Sequence, residues 1–119
     1  MGYESKVVIA RGIGAHGFHE IVAMVDLCKM GSGNGWRELF DKPFDGDVYI
    51  ENEDNPTTED KYGVALRYAS VDEVLAWCEK HHADSDGFVY WRQCLLESLL
   101  KEIKLREFAD ELVVIHYGY

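Results

Sequence analysis

The charge of this chain is concentrated in one segment, residues 38–60. That segment carries nine carboxylates opposed only by Lys42, which accounts for −8 of the chain's net charge of −10. Carboxylates at this density need solvation by water, because an unpaired charge is costly to bury. The segment is therefore expected at the surface of the fold, where its electrostatic field repels nucleic acid and attracts basic protein surfaces.

The length and composition of the chain fit one folded domain. A chain of 119 residues is one domain by the usual length prior, and 47% apolar residues supply a core despite the charge. No apolar run approaches the ~20 residues that a membrane-spanning helix needs, and the N-terminus lacks the pattern of a signal peptide. We therefore expect a single domain, residues 1–119, in the cytoplasm.

Short apolar segments on both sides of a glycine-rich turn predict strands. Residues 6–10 are β-branched and typical of a buried strand. Residues 18–28 fit either a strand or a helix, and we favour a strand that forms a hairpin with residues 4–11. Residues 112–117 end the chain as a strand that is apolar on both faces, which indicates a central position in the sheet.

The acidic segment is predicted to form a hairpin of its own. Residues 47–53 alternate polar and apolar side chains, and residues 62–68 supply a second strand. Between them, Asn55 precedes Pro56 in a stretch with turn chemistry, which disfavours a helix. This hairpin would place most of the carboxylates on its outer face and at its tip.

Two helices are predicted in the C-terminal half. Ser70 and Glu73 have the spacing of a capping box, which begins the first helix. The second helix covers residues 88–108 and is apolar except for one narrow stripe of polar residues. The members of that stripe are Gln93, Glu97, Lys101 and Lys104.

A helix as apolar as residues 88–108 either packs across a sheet or meets another subunit. We therefore also expect a homo-oligomer through this helix. The elements together predict an α+β fold, with a mixed or antiparallel sheet of about five strands and two helices in the C-terminal half, in the order ββββααβ.

The glycine-rich turn at residues 12–17 matches a dinucleotide-binding fingerprint as a string. In that motif the glycines let the backbone approach a pyrophosphate at the N-terminus of the following helix. The motif requires residues 18–28 to be a helix, and glycine-rich hairpin turns produce the same string. A small-molecule or nucleotide-binding oligomer that uses this turn is the alternative function. Its ligand contacts would come from Arg11, Gly12, Gly14, His16 and Gly17.

Two pairs of side chains have the local spacing of zinc ligands. They are His16 with His19, and Cys78 with His81, beside which lies His82. Structural zinc sites usually carry several cysteines, and Cys78 lies on the apolar stripe of the first predicted helix. We therefore expect no metal and no other cofactor, but a buried thiol beside two solvated histidines at a helix C-terminus.

No pattern in the chain indicates an enzyme. The cysteines, Cys28, Cys78 and Cys94, lie in apolar segments, which raise the pKa of a thiol and make it inert. The carboxylates lie in a solvated segment, where their pKa values suit no acid catalysis near neutrality. With twelve basic residues against twenty-two acidic ones, the chain also lacks the electrostatic footprint of a nucleic-acid-binding protein.

Tyrosines interleaved with the carboxylates indicate a protein-binding surface. In interfaces, tyrosines act as anchors and carboxylates pair with arginine and lysine. The alternative is a solvated segment whose charge only supports solubility. The predicted partner-binding residues are Asp45, Asp47, Tyr49, Glu51, Glu53, Asp54, Glu59 and Asp60.

Four stretches resemble a group of small uncharacterised proteins encoded by phages and prophages of bacteria. They are Met1-Gly-Tyr-Glu-Ser-Lys6, Val25-Asp-Leu-Cys-Lys-Met30, Glu59-Asp-Lys-Tyr-Gly63 and Val114-Ile-His-Tyr-Gly118. The resemblance implies a setting, the cytoplasm of an infected or lysogenic bacterium. Small acidic proteins often inhibit host nucleic-acid-binding or defence proteins there, including CRISPR-type nucleases, by occupying the cleft for nucleic acid. The expected function is such an inhibitor, docked through its acidic hairpin onto a basic host protein.

Overall fold

The computed structural model describes residues 4–13, 16–28, 35–81 and 91–119, and it confirms the α+β fold. Within these residues, five strands pair antiparallel in the order β2-β1-β5-β4-β3. The elements in chain order are β1 (Ser5–Arg11), β2 (Glu20–Cys28), α1 (Trp36–Leu39), β3 (Lys42–Pro43), β4 (Arg67–Ala69), α2 (Val71–Lys80), α3 (Trp91–Lys104), a 3-10 turn (Ala109–Glu111) and β5 (Leu112–Gly118). None of the helices in the described ranges is long and apolar enough to cross a membrane.

The structure confirms the predicted hairpin at the start of the chain and the predicted central strand at its end. β1 and β2 pair antiparallel, with Val8 opposite Met24 and Ile9 opposite Ala23. β5 lies between β1 and β4 at the centre of the sheet, and most of its residues are buried. A strand with apolar residues on both faces has to be covered on both faces, which is typical of a central strand.

The sheet has a separate core on each face. Alternate residues of β1 point to opposite sides. Val7 and Ile9 pack with the buried residues of α2 and α3, whereas Val8 packs with Ile115 of β5 on the other face. The segment that carries the acidic residues covers this second face. Its contacts there come from Phe44, Val48 and Ile50, and Leu66 from the following stretch of chain belongs to the same core.

The hairpin predicted within the acidic segment is wrong. Residues 47–53 belong to no named strand, and of residues 62–68 only the last two lie in β4. The strand that pairs with β4 is β3, which comes before the predicted hairpin begins. After β3, residues 44–60 of the acidic segment are therefore an irregular stretch of chain that lies on the sheet instead of extending it.

Thr57 explains how residues 47–53 do without a partner strand. Its hydroxyl accepts hydrogen bonds from the amides of Ile50 and Glu51, at 3.0 and 3.2 Å. Its own amide donates to the carbonyl of Val48 at 2.7 Å. The polar–apolar alternation reflects the packing of Val48 and Ile50 against the sheet, and Thr57 satisfies main-chain groups that a second strand would otherwise pair.

α2 begins with the predicted capping box. The Ser70 hydroxyl accepts a hydrogen bond from the Glu73 amide at 3.1 Å, and the Glu73 carboxylate accepts one from the Ser70 amide at 3.2 Å. Glu73 also pairs with Lys42 of β3, and this ammonium group lowers the pKa of the Glu73 carboxyl against the opposing effect of burial. One carboxylate thus caps α2 and links it to the edge of the sheet.

The polar stripe predicted on the second helix only partly faces water. Gln93 and Glu97 are buried, whereas Leu95 is 56% exposed. The Gln93 amide group donates to the carbonyl of Cys78 in α2 at 3.1 Å, and Glu97 lies 3.5 Å from Lys101. α3 ends four residues before the predicted boundary, and residues 88–90 lie outside the described ranges. Most of its apolar residues pack in the chain's own core, whereas Trp91 and Leu95 are exposed, and the homo-oligomer through this helix stays a prediction.

Candidate functional site

The acidic segment presents its carboxylates outward from a fixed position on the sheet. Eight of its nine acidic residues are exposed, and Asp60 alone is buried. Its Val48 is completely buried, with Phe44 and Ile50 packed against the same core, so the segment cannot leave the sheet without opening the second core. We call the outward residues of the predicted set the acidic surface. It consists of Asp45, Asp47, Tyr49, Glu51, Glu53, Asp54 and Glu59.

Asp60 was predicted to bind a partner, and its position corrects that prediction. Its carboxylate accepts hydrogen bonds from the amides of Tyr62, Val64 and Gly118, at 2.8, 3.0 and 3.3 Å. The side chain therefore stabilises the following loop and connects it to β5. Aspartate two or three residues before a glycine is typical of such a turn, and Gly63 adopts a positive φ of 76° here.

Two members of the acidic surface have partners inside the chain. Asp45 lies 3.1 Å from Nδ1 of His16. Glu51 accepts a hydrogen bond from the Tyr117 hydroxyl and lies 3.9 Å from the Lys61 ammonium group. Burial, and then this hydrogen bond, raise the pKa of Tyr117. In the part of the chain that the structure describes, four surface carboxylates have no ion-pair partner. They are Asp47, Glu53, Asp54 and Glu59.

A polar recess of about 220 Å³ opens within the acidic surface. The carboxylates of Glu51 and Glu59 line it together with polar side chains that include Asn55 and Thr58. Pockets for small molecules are larger, at roughly 300–1,000 Å³, and mostly apolar. The recess therefore suits the end of one long basic side chain better than a free small molecule.

The glycine-rich turn does not have the geometry of a dinucleotide site. It leads into β2, a strand that pairs antiparallel with β1, where the motif needs a helix. Arg11 is paired with Glu111 at 2.7 Å, and His16 with Asp45, so both predicted phosphate ligands contact carboxylates. Gly14 lies outside the described residues. The structure does not favour the alternative function at this turn.

His19 gives the glycines around it a structural role that the sequence did not reveal. Its ring is 1% exposed and lies 4.9 Å from the Phe44 ring, measured between centroids. A Cβ atom at Gly12 would lie 2.5 Å from this ring, and one at Gly46 would lie 2.7 Å from it. Both positions lack a side chain because the imidazole occupies the space, and Nδ1 hydrogen-bonds the carbonyl of Gly17 at 3.0 Å.

The side chains with zinc-ligand spacing do not converge. His19 packs against Phe44, which belongs to the second core, whereas Cys78 lies in the core beneath the helices, across the sheet. Burial raises the pKa of Cys78 to about 12, so this thiol stays protonated. His82 lies outside the described residues. Within the described ranges, no three His, Cys, Asp or Glu side chains are placed to hold a metal ion.

A second cavity, of about 490 Å³, lies where α1 meets β4 and β5. His116 lines it, and a hydrogen bond of 2.6 Å joins its Nε2 to the Ser5 hydroxyl. Burial lowers the pKa of His116 to about 4, so the ring is neutral near pH 7. Ser5 is 1% exposed and does not line the cavity. A serine and a histidine therefore meet without an accessible nucleophile, and the pair is a structural contact.

Comparison of this chain with protein-family models, with curated proteins and with solved structures found no match. The fold and the geometry of the acidic surface are therefore the basis on which function has to be argued.

Proposed function

We propose that this protein is a non-enzymatic binding protein whose acidic surface docks onto a basic surface of a nucleic-acid-handling host protein in the bacterial cytoplasm. One observation carries the proposal. The carboxylates of Asp47, Glu53, Asp54 and Glu59 are exposed without an ion-pair partner in the described residues, on a segment that Val48 and Ile50 anchor to the sheet.

The anchoring matters because a fixed array of charges loses little conformational freedom on binding. A flexible acidic tail would have to be ordered first, at a cost in entropy. Carboxylates held at the surface steer a basic partner during encounter, and the polar recess beside Glu59 offers a place for one of the partner's arginine or lysine side chains.

Inhibition is the expected consequence of such docking. A protein surface that binds nucleic acid uses arginine and lysine to contact phosphates. An acidic protein on the same residues competes with the nucleic acid directly. In the setting implied by the resemblance to phage-encoded proteins, the proposed targets include host defence proteins such as CRISPR-type nucleases.

The test is affinity capture from nuclease-treated bacterial lysate, with two variants of equal net charge. The surface variant neutralises three unpaired carboxylates of the acidic surface, and the control variant neutralises three exposed carboxylates on the helical side. The surface substitutions are Glu53→Gln, Asp54→Asn and Glu59→Gln. The control substitutions are Glu79→Gln, Glu107→Gln and Asp110→Asn.

Wild type and the control variant should capture the same nucleic-acid-binding protein at low salt, and the surface variant should lose it. Raising the salt concentration should release the captured protein, because screening weakens attraction between exposed charges. Capture of the same proteins by all three forms, or capture that salt does not affect, would overturn the proposal.

A further inference from the structure

The cavity of about 490 Å³ beside α1 is built on a pair of side chains that face each other across two strands. Arg67 of β4 lies directly opposite His116 of β5, which in turn lies opposite Val7 of β1. Side chains at directly opposite positions of an antiparallel sheet share a face. Because Val7 packs in the core beneath the helices, the cavity lies on the helical face of the sheet.

The walls of this cavity come from α1 and from the loop before β4. The Phe40 ring, directly after α1, packs on the His116 ring with 5.2 Å between centroids. Asp60 fixes Val64 twice, since its carboxylate accepts from the Val64 amide at 3.0 Å and its amide donates to the Val64 carbonyl at 2.9 Å. Val64 is still 47% exposed, which leaves apolar surface for a ligand. The volume lies in the range of small-molecule sites, roughly 300–1,000 Å³.

Arg67 brings to the cavity a positive charge that no acidic side chain neutralises. Its guanidinium group donates to the main-chain carbonyl of Asp41 at 3.1 Å, and it forms no ion pair with any described residue. This is notable in a chain with 22 acidic against 12 basic residues. A guanidinium group has five N–H donors, and a carboxylate can accept two of them side by side. Arg67 is therefore positioned to bind a carboxylate of a ligand.

Glu38 of α1 brings the opposite charge to the same cavity. Its side chain is exposed and, within the described ranges, has no ion-pair partner. Glu38 and Arg67 both line the cavity without pairing with each other. Two opposite charges arranged in this way are complementary to a ligand that carries both charges itself.

The lining as a whole is nearly balanced in charge. It carries three carboxylates and two guanidinium groups, and burial lowers the pKa of His116 to about 4, so that this ring is neutral near pH 7. A ligand with a net charge would meet like charges here, whereas a zwitterion would not. The charged lining residues are Arg37, Glu38, Asp41, Asp60 and Arg67.

We infer that this cavity binds a zwitterionic small molecule, an α-amino acid with an apolar side chain. Arg67 binds its carboxylate, and Glu38 accepts hydrogen bonds from its ammonium group. Phe40 and Val64 contact its apolar side chain. No residue of the acidic surface lines the cavity, so the inference does not rest on the proposed function.

The experiment titrates the isotope-labelled full chain with leucine, phenylalanine and tryptophan and follows the main-chain amides by NMR. At least one of these amino acids should bind saturably and shift the amides of Val64, Arg67 and His116. Its counterparts that lack either the ammonium group or the carboxylate should bind about tenfold more weakly or worse, because each loses hydrogen bonds to a charged group.

Two variants assign the charges to their residues. Arg67→Gln should weaken the amino acid about tenfold and leave the counterpart without a carboxylate unaffected. Glu38→Gln should weaken the amino acid and not the counterpart without an ammonium group. The second variant keeps the test decisive if the first does not fold, because Glu38 is exposed. The matched controls are Arg106→Gln and Glu107→Gln, at exposed positions that do not line the cavity, and both should bind as wild type does.

Three results would overturn the inference. The first is the absence of saturable binding for all three amino acids. The second is equal affinity for the amino acid and its two counterparts. The third is a Glu38→Gln variant that binds the amino acid as tightly as the Glu107→Gln control does.

Discussion

His116 should make this protein less stable in mild acid, and replacing it should remove that effect. Burial lowers the pKa of His116 to about 4, with the charge of Arg37 in the same direction and that of Asp60 opposing it. In the unfolded chain a histidine titrates near 6.5. Between these values the unfolded state binds a proton that the folded state does not, so the free energy of unfolding falls as the pH falls.

The size of the effect follows from the difference between the two pKa values. Each pH unit within this window costs about 1.4 kcal/mol, so a change from pH 6.5 to pH 5 should cost about 2 kcal/mol through His116 alone. The free energy of unfolding has its full value above pH 6.5 and falls, through His116, down to about pH 4. A variant without the imidazole isolates this contribution.

Urea unfolding of wild type and His116→Gln at pH 7, pH 6 and pH 5 measures it. Glutamine cannot titrate, and its amide can still hydrogen-bond the Ser5 hydroxyl. The difference in unfolding free energy between the two proteins should shift by about 2 kcal/mol in favour of the variant between pH 7 and pH 5. If the two proteins lose stability in parallel, His116 is not held neutral by burial, and the reasoning is refuted.

Three substitutions test the contacts that hold the acidic segment and the helices in place. Gly46→Ala should lower the free energy of unfolding by about 1–3 kcal/mol, because its Cβ would collide with His19; urea unfolding with unchanged stability would contradict this. Asp60→Ala leaves three amides without their acceptor and should cost at least about 2 kcal/mol in the same assay; a loss near zero would show that water replaces the carboxylate. Ser70→Ala should cost about 1 kcal/mol in thermal unfolding through loss of the cap, whereas Ser98→Ala, at an exposed position within α3, should change little.

Most of the regular elements could be predicted because their signals are local. The capping box of Ser70 and Glu73 lies within four residues and fixed the start of α2. β5 is apolar on both faces apart from His116, which is typical of a central strand. The acidic segment could not be predicted in the same way, since alternation shows which side chains are buried but not what pairs with the main chain. The amides of Ile50 and Glu51 pair with the hydroxyl of Thr57, several residues further along the chain, and not with a second strand.

The candidate site could be predicted in composition but not in the role of each residue. The density of carboxylates correctly placed the acidic segment at the surface. The same density gave no sign that Asp60 is buried and has a structural role. Its carboxylate accepts three hydrogen bonds, one of them from the distant amide of Gly118. Contacts between residues distant in the chain depend on the whole fold, and no local pattern carries them. The buried ring of His19 between two glycines was missed for the same reason.

The most direct test of the proposed function is a competition measurement on the captured partner. A fluorescently labelled nucleic acid is bound to that partner, and its anisotropy is followed while this protein is added. The proposal predicts that wild type displaces the nucleic acid and lowers the anisotropy, that the control variant does the same, and that the surface variant does not. Formation of a complex in which the partner keeps its nucleic acid would contradict the claim that the acidic surface occupies a nucleic-acid-binding site.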